Sequence, residues 1–300
     1  MSLDMSAIGL KYPMPQTDED LPRLARLAFD LAAVHCGECR NYHAMWGYLR
    51  SIGANGRGPE IAWTEKLDAL VAAASGRSHV EWLLAGSADS GQLGLVHAAM
   101  ARAPDATYRV TVVDRCETPL KVCEAFADDV GIELETIKED LAAFHRDEAF
   151  DFVLMHHIII FVPAEDQAGF LQHAASWLRP DGRLFMTSSY EGEEDVPRVR
   201  PKPLLAAWRA EVVEEAVRNG TIDLPEDAGT FIDRLSHMRD SRRPRQVSRR
   251  LDYWPAMVSG AGLTVEDVIE FPTDRVEKLL NPDTSPPSVR FLLVASPGSP

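Results

Sequence analysis

Residues 80–115 read VEWLLAGSADSGQLGLVHAAMARAPDATYRVTVVDR, and their order decides the fold. An apolar run of strand length gives way to a turn of small residues, then to a helical segment, then to a second apolar run that ends in Asp114. Strand, turn, helix and strand make the repeating unit of a parallel sheet, because parallel neighbours need a crossover that returns the chain to the same edge. That order puts a glycine-containing turn and a carboxylate side by side at the carboxyl edge of the sheet. A nucleoside can lie there with its ribose hydroxyls on the acid.

Working outward, IELETIKED, FDFVLMHHIII and GRLFMTSSY are further strand-length apolar runs, and PLKVCEAFADDVG and AEDQAGFLQHAASWLRPDG are long enough for crossover helices. Near the C-terminus LDYWPAMVSGAGL reads as a helix, TVEDVIEFP as a sixth strand and SVRFLLVAS as a seventh. A proline-rich stretch with no full crossover helix joins the last two strands, which predicts an antiparallel pair. Upstream, Leu21, Leu24, Leu27, Leu31 and Val34 repeat at helical spacing, NYHAMWGYLRSIGA continues as a second helix, and TEKLDALVAAASG predicts a third from a capping Thr64 to Gly76. Residues 1–20 are polar and proline-bearing and read as an arm. After Tyr190 the alternation breaks into the joints EGEEDVPRVRPKP, two helical stretches and the run RDSRRPRQVSRR, which reads as an insertion.

Composition narrows the function. A chain of 300 residues with 45% hydrophobic content can bury a full core. The N-terminus has no basic segment followed by an apolar run, and no stretch approaches the ~20 apolar residues of a spanning helix, so neither secretion nor membrane insertion is expected. A formal charge of −15 repels a phosphate backbone and argues against nucleic acid as a partner. Four cysteines, Cys36, Cys39, Cys116 and Cys123, are too few for a disulfide scaffold and fit a reducing cytoplasm.

From residue 80 to 296 the chain resembles the class I S-adenosylmethionine-dependent methyltransferases. VEWLLAGSADSG stands where that family has its glycine-rich motif, VTVVDR where it has the ribose acid, and KEDLAAF where an acid and its neighbour frame the adenine. FDFVLMHHIIIFVP stands where the fourth strand opens to substrate, and WLRPDGRLFMTSSY where the family has a Leu-Lys-Pro-Gly-Gly turn. The glycine-rich turn departs from the family pattern. Its acid, Glu81, comes early in the strand, and Gly86, Ser87, Ala88, Asp89, Ser90, Gly91 and Gly94 replace the usual three glycines.

The resemblance implies an α/β, Rossmann-like, seven-stranded and mostly parallel sheet with an N-terminal helical cap (1–78) and a helical insertion (191–250) before the last two strands. The cofactor-binding domain would comprise 79–190 and 251–300. It further implies S-adenosylmethionine as cofactor, with Gly86, Ser87 and Gly91 around its methionine part, Asp114 on the ribose, and Asp140 and Leu141 at the adenine edge. Arg115 and Cys116 would lie over the adenine face, and Met155 would stand beside the cofactor. His156 or His157 would be a general base, one of the two being structural, since alternating side chains along a strand point to opposite faces. Tyr42 and Trp46 would pack over the sheet edge and face the sulfonium, core packing being their ordinary role.

The resemblance implies methyl transfer to an O, N or C nucleophile of a small molecule. Met-His-His-Ile at strand four, in place of Asp/Asn-Pro-Pro-Tyr, argues against methylation of a base amino group. Two alternatives stand beside it: cyclisation of the cofactor's aminobutyryl chain with release of methylthioadenosine, and a noncatalytic binding module that kept the fold. Arg239, Arg242, Arg243, Arg245, Arg249 and Arg250 read as a solvated charged run, from which one or two guanidinium groups turned inward would grip a substrate carboxylate or phosphate. His35, Cys36, Cys39 and His43 invite a zinc reading, and on a continuous helix Cys36, Cys39 and His43 share a face. Three ligands on one helix rarely close a tetrahedron without a fourth from elsewhere, so buried free thiols and no metal are expected.

Overall fold

The computed structural model describes residues 20–51, 58–191, 202–220, 222–237, 252–272 and 288–298. Residues 1–19 of the expected arm 1–20, the arginine run 239–250 and the proline-rich stretch between the last two strands lie outside them, while Asp20 already belongs to the first helix.

Seven strands form one sheet: β1 (His79–Ala85), β2 (Thr107–Asp114), β3 (Leu134–Lys138), β4 (Phe150–His156), β5 (Leu178–Glu191), β6 (Leu263–Pro272) and β7 (Ser288–Pro297). They lie in the order β3-β2-β1-β4-β5-β7-β6. β1 through β5 pair in parallel, while β7 runs antiparallel to both β5 and β6. The order reverses at β1, so the first crossover leads to one side and the second half of the sheet grows on the other. Between β1 and its neighbours β2 and β4 the carboxyl edge therefore opens a crevice, the place where ligands enter open α/β sheets.

The central strands are mostly apolar because both of their faces are covered. On one face Trp82, Leu84, Val110, Val112, Phe152, Leu154 and Phe185 meet α1 (Asp20–His35), α3 (Gly58–Ala74), α4 (Gly91–Met100) and α5 (Glu117–Val130). On the other, Leu83, Val113, Val153, Met155, Leu184 and Met186 meet α6 (Gln167–Ser176) and α9 (Tyr253–Gly260). Each fully buried large side chain adds about 1.5–3 kcal/mol to such a core. A third cluster is separate from the sheet. In it Ala25, Ala32, Met45, Tyr48 and Leu49 of α1 and α2 (Arg40–Ser51) pack with Val213 of α7 (Lys202–Arg218) and Phe231 and Leu235 of α8 (Ala228–His237).

The helical prelude differs from expectation in two places. α3 begins at Gly58, so Thr64 lies inside the helix and not at its start. α1 stops at His35 and α2 starts at Arg40, with Cys36 and Cys39 in the turn between them, so no continuous helix carries the cysteines and His43. At the other end of the sheet's strands, Asp151, 4% exposed, ties the layers together. It accepts Arg77 Nη1 at 2.9 Å, Arg179 Nη1 at 2.8 Å and the Glu81 backbone N–H at 2.8 Å.

Candidate active site

At the carboxyl edge β1 ends at Ala85, and Gly86 turns the chain away at φ 76°, a left-handed angle that side chains resist. Its N–H still donates to Val113 O at 2.8 Å, so β1 and β2 remain joined up to the turn. Beyond it, the Ser87 N–H donates to Asp114 Oδ2 at 2.9 Å and the Cys116 N–H to Asp114 Oδ1 at 2.7 Å. Each carboxylate oxygen accepts one backbone donor and keeps a lone pair for another, which is what a ribose diol requires. Burial pushes the Asp114 carboxyl pKa up, opposed by those two bonds and by His43.

The rest of the turn is built around Asp89. It is 6% exposed, and its Oδ1 accepts the Gly91 N–H at 2.7 Å and Arg50 Nη1 at 3.2 Å. Its Oδ2 has no partner among the described residues. A buried, orphaned carboxylate oxygen in this turn fits a positively charged donor from a ligand, such as the ammonium of the cofactor's methionine part. The two glycines divide their work differently from expectation. Gly86 alone supplies a left-handed angle, and its open side faces Ile158, whose Cδ1 lies 2.3 Å from where a Cβ would stand. Gly91 opens α4 and admits Arg50, whose Nη1 lies 2.1 Å from the corresponding point.

Leu141 is buried beside the turn, its Cδ1 3.7 Å from the Gly86 Cβ position. Asp140 is half exposed and receives the Ala142 N–H at 3.0 Å, and Arg115 extends into solvent with Nη1 3.5 Å from Asp140 Oδ2. Met155 lies wholly within the second core, on the face opposite His156. Tyr42 and Trp46 stack with ring centroids 5.5 Å apart, and Tyr42 meets Phe161 edge-on at 6.3 Å. Since Phe161 belongs to the 3₁₀ turn after β4, this contact carries the cap across to the β4 end of the crevice.

β4 ends in His156, and the chain then turns at His157, whose φ is 55°. That left-handed residue cancels the alternation expected of a strand. The two imidazoles stand together with centroids 4.6 Å apart and planes at 75°, instead of pointing to opposite faces. The group that meets His156 was not among the expected site residues. Lys66 of α3 is 2% exposed, and its Nζ lies 2.7 Å from His156 Nδ1. Burial, reinforced by the charge of Arg290, holds the Lys66 pKa well below its usual 10.5. Burial, then Lys66, His157 and Arg290, hold His156 well below 6.5. Both groups are therefore biased toward their neutral forms. The available signal was helical spacing, since Lys66 lies four residues before the buried Leu70. The cap also delivers Cys36, Cys39 and His43 to Cys116, with one donor atom of each within 4.8 Å of all the others.

Residues 89–186 match the family model described as a methyltransferase domain. Several solved structures are similar to the chain. The Burkholderia thailandensis 1,6-didemethyltoxoflavin-N1-methyltransferase, solved with 1,6-didemethyltoxoflavin and S-adenosylhomocysteine, is 13% identical with a TM-score of 0.51, covering 96% of this chain and 93% of its own. Magnesium protoporphyrin IX methyltransferase from Synechocystis PCC 6803, with bound S-adenosylhomocysteine, is 15% identical with a TM-score of 0.48, over 82% of this chain and 86% of its own. An S-adenosylmethionine-dependent methyltransferase from Clostridium acetobutylicum is 10% identical with a TM-score of 0.46, over 80% of this chain and 92% of its own. A search of curated protein sequences finds no match. Over residues 89–186 the chain is similar to a methyltransferase domain, and the sheet it forms has the fold of the Burkholderia enzyme.

Proposed function

We propose that the enzyme methylates an O, N or C nucleophile of a small molecule enclosed between the carboxyl edge of the sheet and the helices above it. The observation that carries this reading is the pairing of the buried Lys66 with the half-buried His156 at the end of β4, across the crevice from Asp114 at the end of β2. Support for a small acceptor comes from the aromatic bridge of Tyr42 and Phe161 over the crevice. It comes also from the Burkholderia neighbour, which shares the fold over nearly the whole chain and holds a small heterocycle.

Bound S-adenosylmethionine supplies a methyl group on a positively charged sulfur. Asp114 takes the ribose hydroxyls, Asp89 Oδ2 the ammonium, and Arg50 the carboxylate of the methionine part, as a guanidinium does well. Leu141 and Asp140 flank the adenine, and Arg115 closes its outer face. An unprotonated Lys66 amine is a hydrogen-bond acceptor, so His156 donates Nδ1–H to it and keeps the Nε2 lone pair for the acceptor's proton. Lys66 is thus a positioning residue and His156 the base. His157, turned out of the strand with its N–H on Thr187 O at 2.9 Å, sets the end of β4.

The test is incubation of the protein with methyl-labelled cofactor and a low-molecular-weight metabolite extract. Label passing into a small molecule together with unlabelled S-adenosylhomocysteine is expected. Label released as methylthioadenosine would mean that the aminobutyryl chain is attacked instead and would overturn the proposal. In calorimetry with S-adenosylhomocysteine, Asp114→Ala should weaken binding by about 1–3 kcal/mol through lost charged hydrogen bonds. An unchanged dissociation constant removes Asp114 from the ribose.

A further inference from the structure

We infer that Cys36, Cys39, His43 and Cys116 coordinate one zinc ion, which fastens the helical cap to the cofactor edge of the sheet. Their donor atoms lie within 4.8 Å of one another. Cys36 Sγ is 3.3 Å and Cys39 Sγ 3.8 Å from Cys116 Sγ. A tetrahedral zinc with Zn–S near 2.3 Å needs ligand-to-ligand edges of about 3.8 Å, so the sulfurs stand close to bonding positions without an ion holding them.

The break between α1 and α2 creates this arrangement. On one helix the two cysteines and the histidine would line a single face and leave the far side of an ion open. In the structure the Cys36-Gly37-Glu38-Cys39 segment forms a turn, a Cys-x-x-Cys spacing that lets two thiolates grip one ion from the same loop. His43 then approaches from the first turn of α2. Cys116 arrives from a segment 77 residues beyond Cys39 and completes four ligands.

The surroundings orient these ligands. His43, 6% exposed, places Nδ1 3.3 Å from the Ala88 carbonyl, so Nδ1–H donates there and Nε2 is the nitrogen left for the metal. A carbonyl on the remote ring nitrogen is the usual partner of a zinc-bound imidazole. Cys36 Sγ lies 3.1 Å from Thr118 Oγ1, a hydroxyl that can donate to a thiolate. Cys116 is the N-cap residue of α5, at the positive end of that helix. Three soft thiolates and one imidazole in a closed set of four match structural zinc.

The position gives the ion a role. Cys116 lies two residues after Asp114 and donates its N–H to that carboxylate, while His43 holds the glycine-rich turn through Ala88. One ion therefore fixes the α1–α2 turn, the end of β2 and the turn after β1 relative to one another.

The test is elemental analysis of full-length protein purified under reducing conditions without chelator, with one zinc per chain expected. Cobalt(II) added to the chelator-stripped protein should give thiolate charge-transfer absorption and the intense visible bands of a tetrahedral ion. Cys36→Ser and Cys116→Ser should lose the metal, whereas Cys123→Ser, fully buried outside the cluster, should keep it. Should those variants fail to fold, alkylation of the wild-type protein decides: zinc should protect Cys36, Cys39 and Cys116 together, and chelation should expose them. A metal-free wild type that takes up no cobalt overturns the inference. So does zinc retained by both serine variants, or an intact mass showing a Cys36–Cys116 disulfide in place of metal.

Discussion

Replacing Lys66 by Met should stabilise the folded protein, by an amount that grows as the pH falls. Lys66 is 2% exposed, and burial holds its pKa well below 10.5. In the unfolded chain the amine regains its ordinary pKa. Between the folded and unfolded values the unfolded state binds one more proton, so stability rises with pH across that window. Equivalently, the native protein carries no penalty above about pH 10.5, and from there down to the folded-state pKa each pH unit costs about 1.4 kcal/mol. Methionine fills nearly the same volume and has no charge to shed. It leaves His156 Nδ1 without its partner, which costs about 1 kcal/mol, but that cost does not vary with pH in this range. The lowered pKa of His156 acts only below about pH 6.5 and so falls outside the measurement. Denaturant unfolding of both proteins from about pH 7 to about pH 10 reads the difference directly, because every other titrating group is common to the two. The stability gap should widen toward the acid side with a slope approaching one proton. Parallel curves would show that Lys66 is charged in the folded state, and the neutral amine assigned to the site would fall with it.

Two further outcomes test the frame that holds the site. Asp151→Ala removes the carboxylate from two guanidinium groups and a backbone N–H, and should cost about 3 kcal/mol in denaturant unfolding while cofactor affinity is unchanged; a loss within about 0.5 kcal/mol would make that cluster a surface decoration. Gly182→Ala would press a Cβ to 3.0 Å from Arg179 O, 3.0 Å from Asp151 O and 3.1 Å from Phe150 O, all backbone, where β4 and β5 shift register. It should cost about 1–3 kcal/mol, and an unchanged unfolding midpoint would mean that this corner of the sheet yields.

The sheet was legible because its signal is local. A strand buried on both faces is largely apolar, which marks β1, β2, β4 and β5, while the edge strands β3 and β6 were recognised from shorter apolar runs. The pairing of β6 with β7 followed from the lack of room for a crossover helix, and Asp114 from its position at the end of an apolar run. What escaped depends on contacts between distant segments or on a single backbone angle. Lys66, in TEKLDAL, reads as a solvated helix charge until α3 is laid against the sheet. Arg50 reaches the glycine-rich turn only because α2 folds over it. The pairing of His156 with His157 rests on one positive φ after β4, at a residue with no glycine to announce it.

The helices over the crevice show the same limit in another form. As sequence, the N-terminal helices and the insertion after β5 are two unrelated segments, one before β1 and one between β5 and β6. In the folded chain they share one core, in which Tyr48 of α2 meets Phe231 of α8 edge-on at 5.1 Å. Arg234 of α8 pairs with Glu226 and reaches Asn41 of α2 at 3.4 Å. α1 also buries Leu24 and Ala28 against the sheet, but the apolar residues of α2 in this core are covered by α7 and α8. The same α2 that contributes Tyr48 to this core sends Arg50 to Asp89 and Tyr42 to Phe161. α7 and α8 are thus linked to the glycine-rich turn through contacts of the same helix α2.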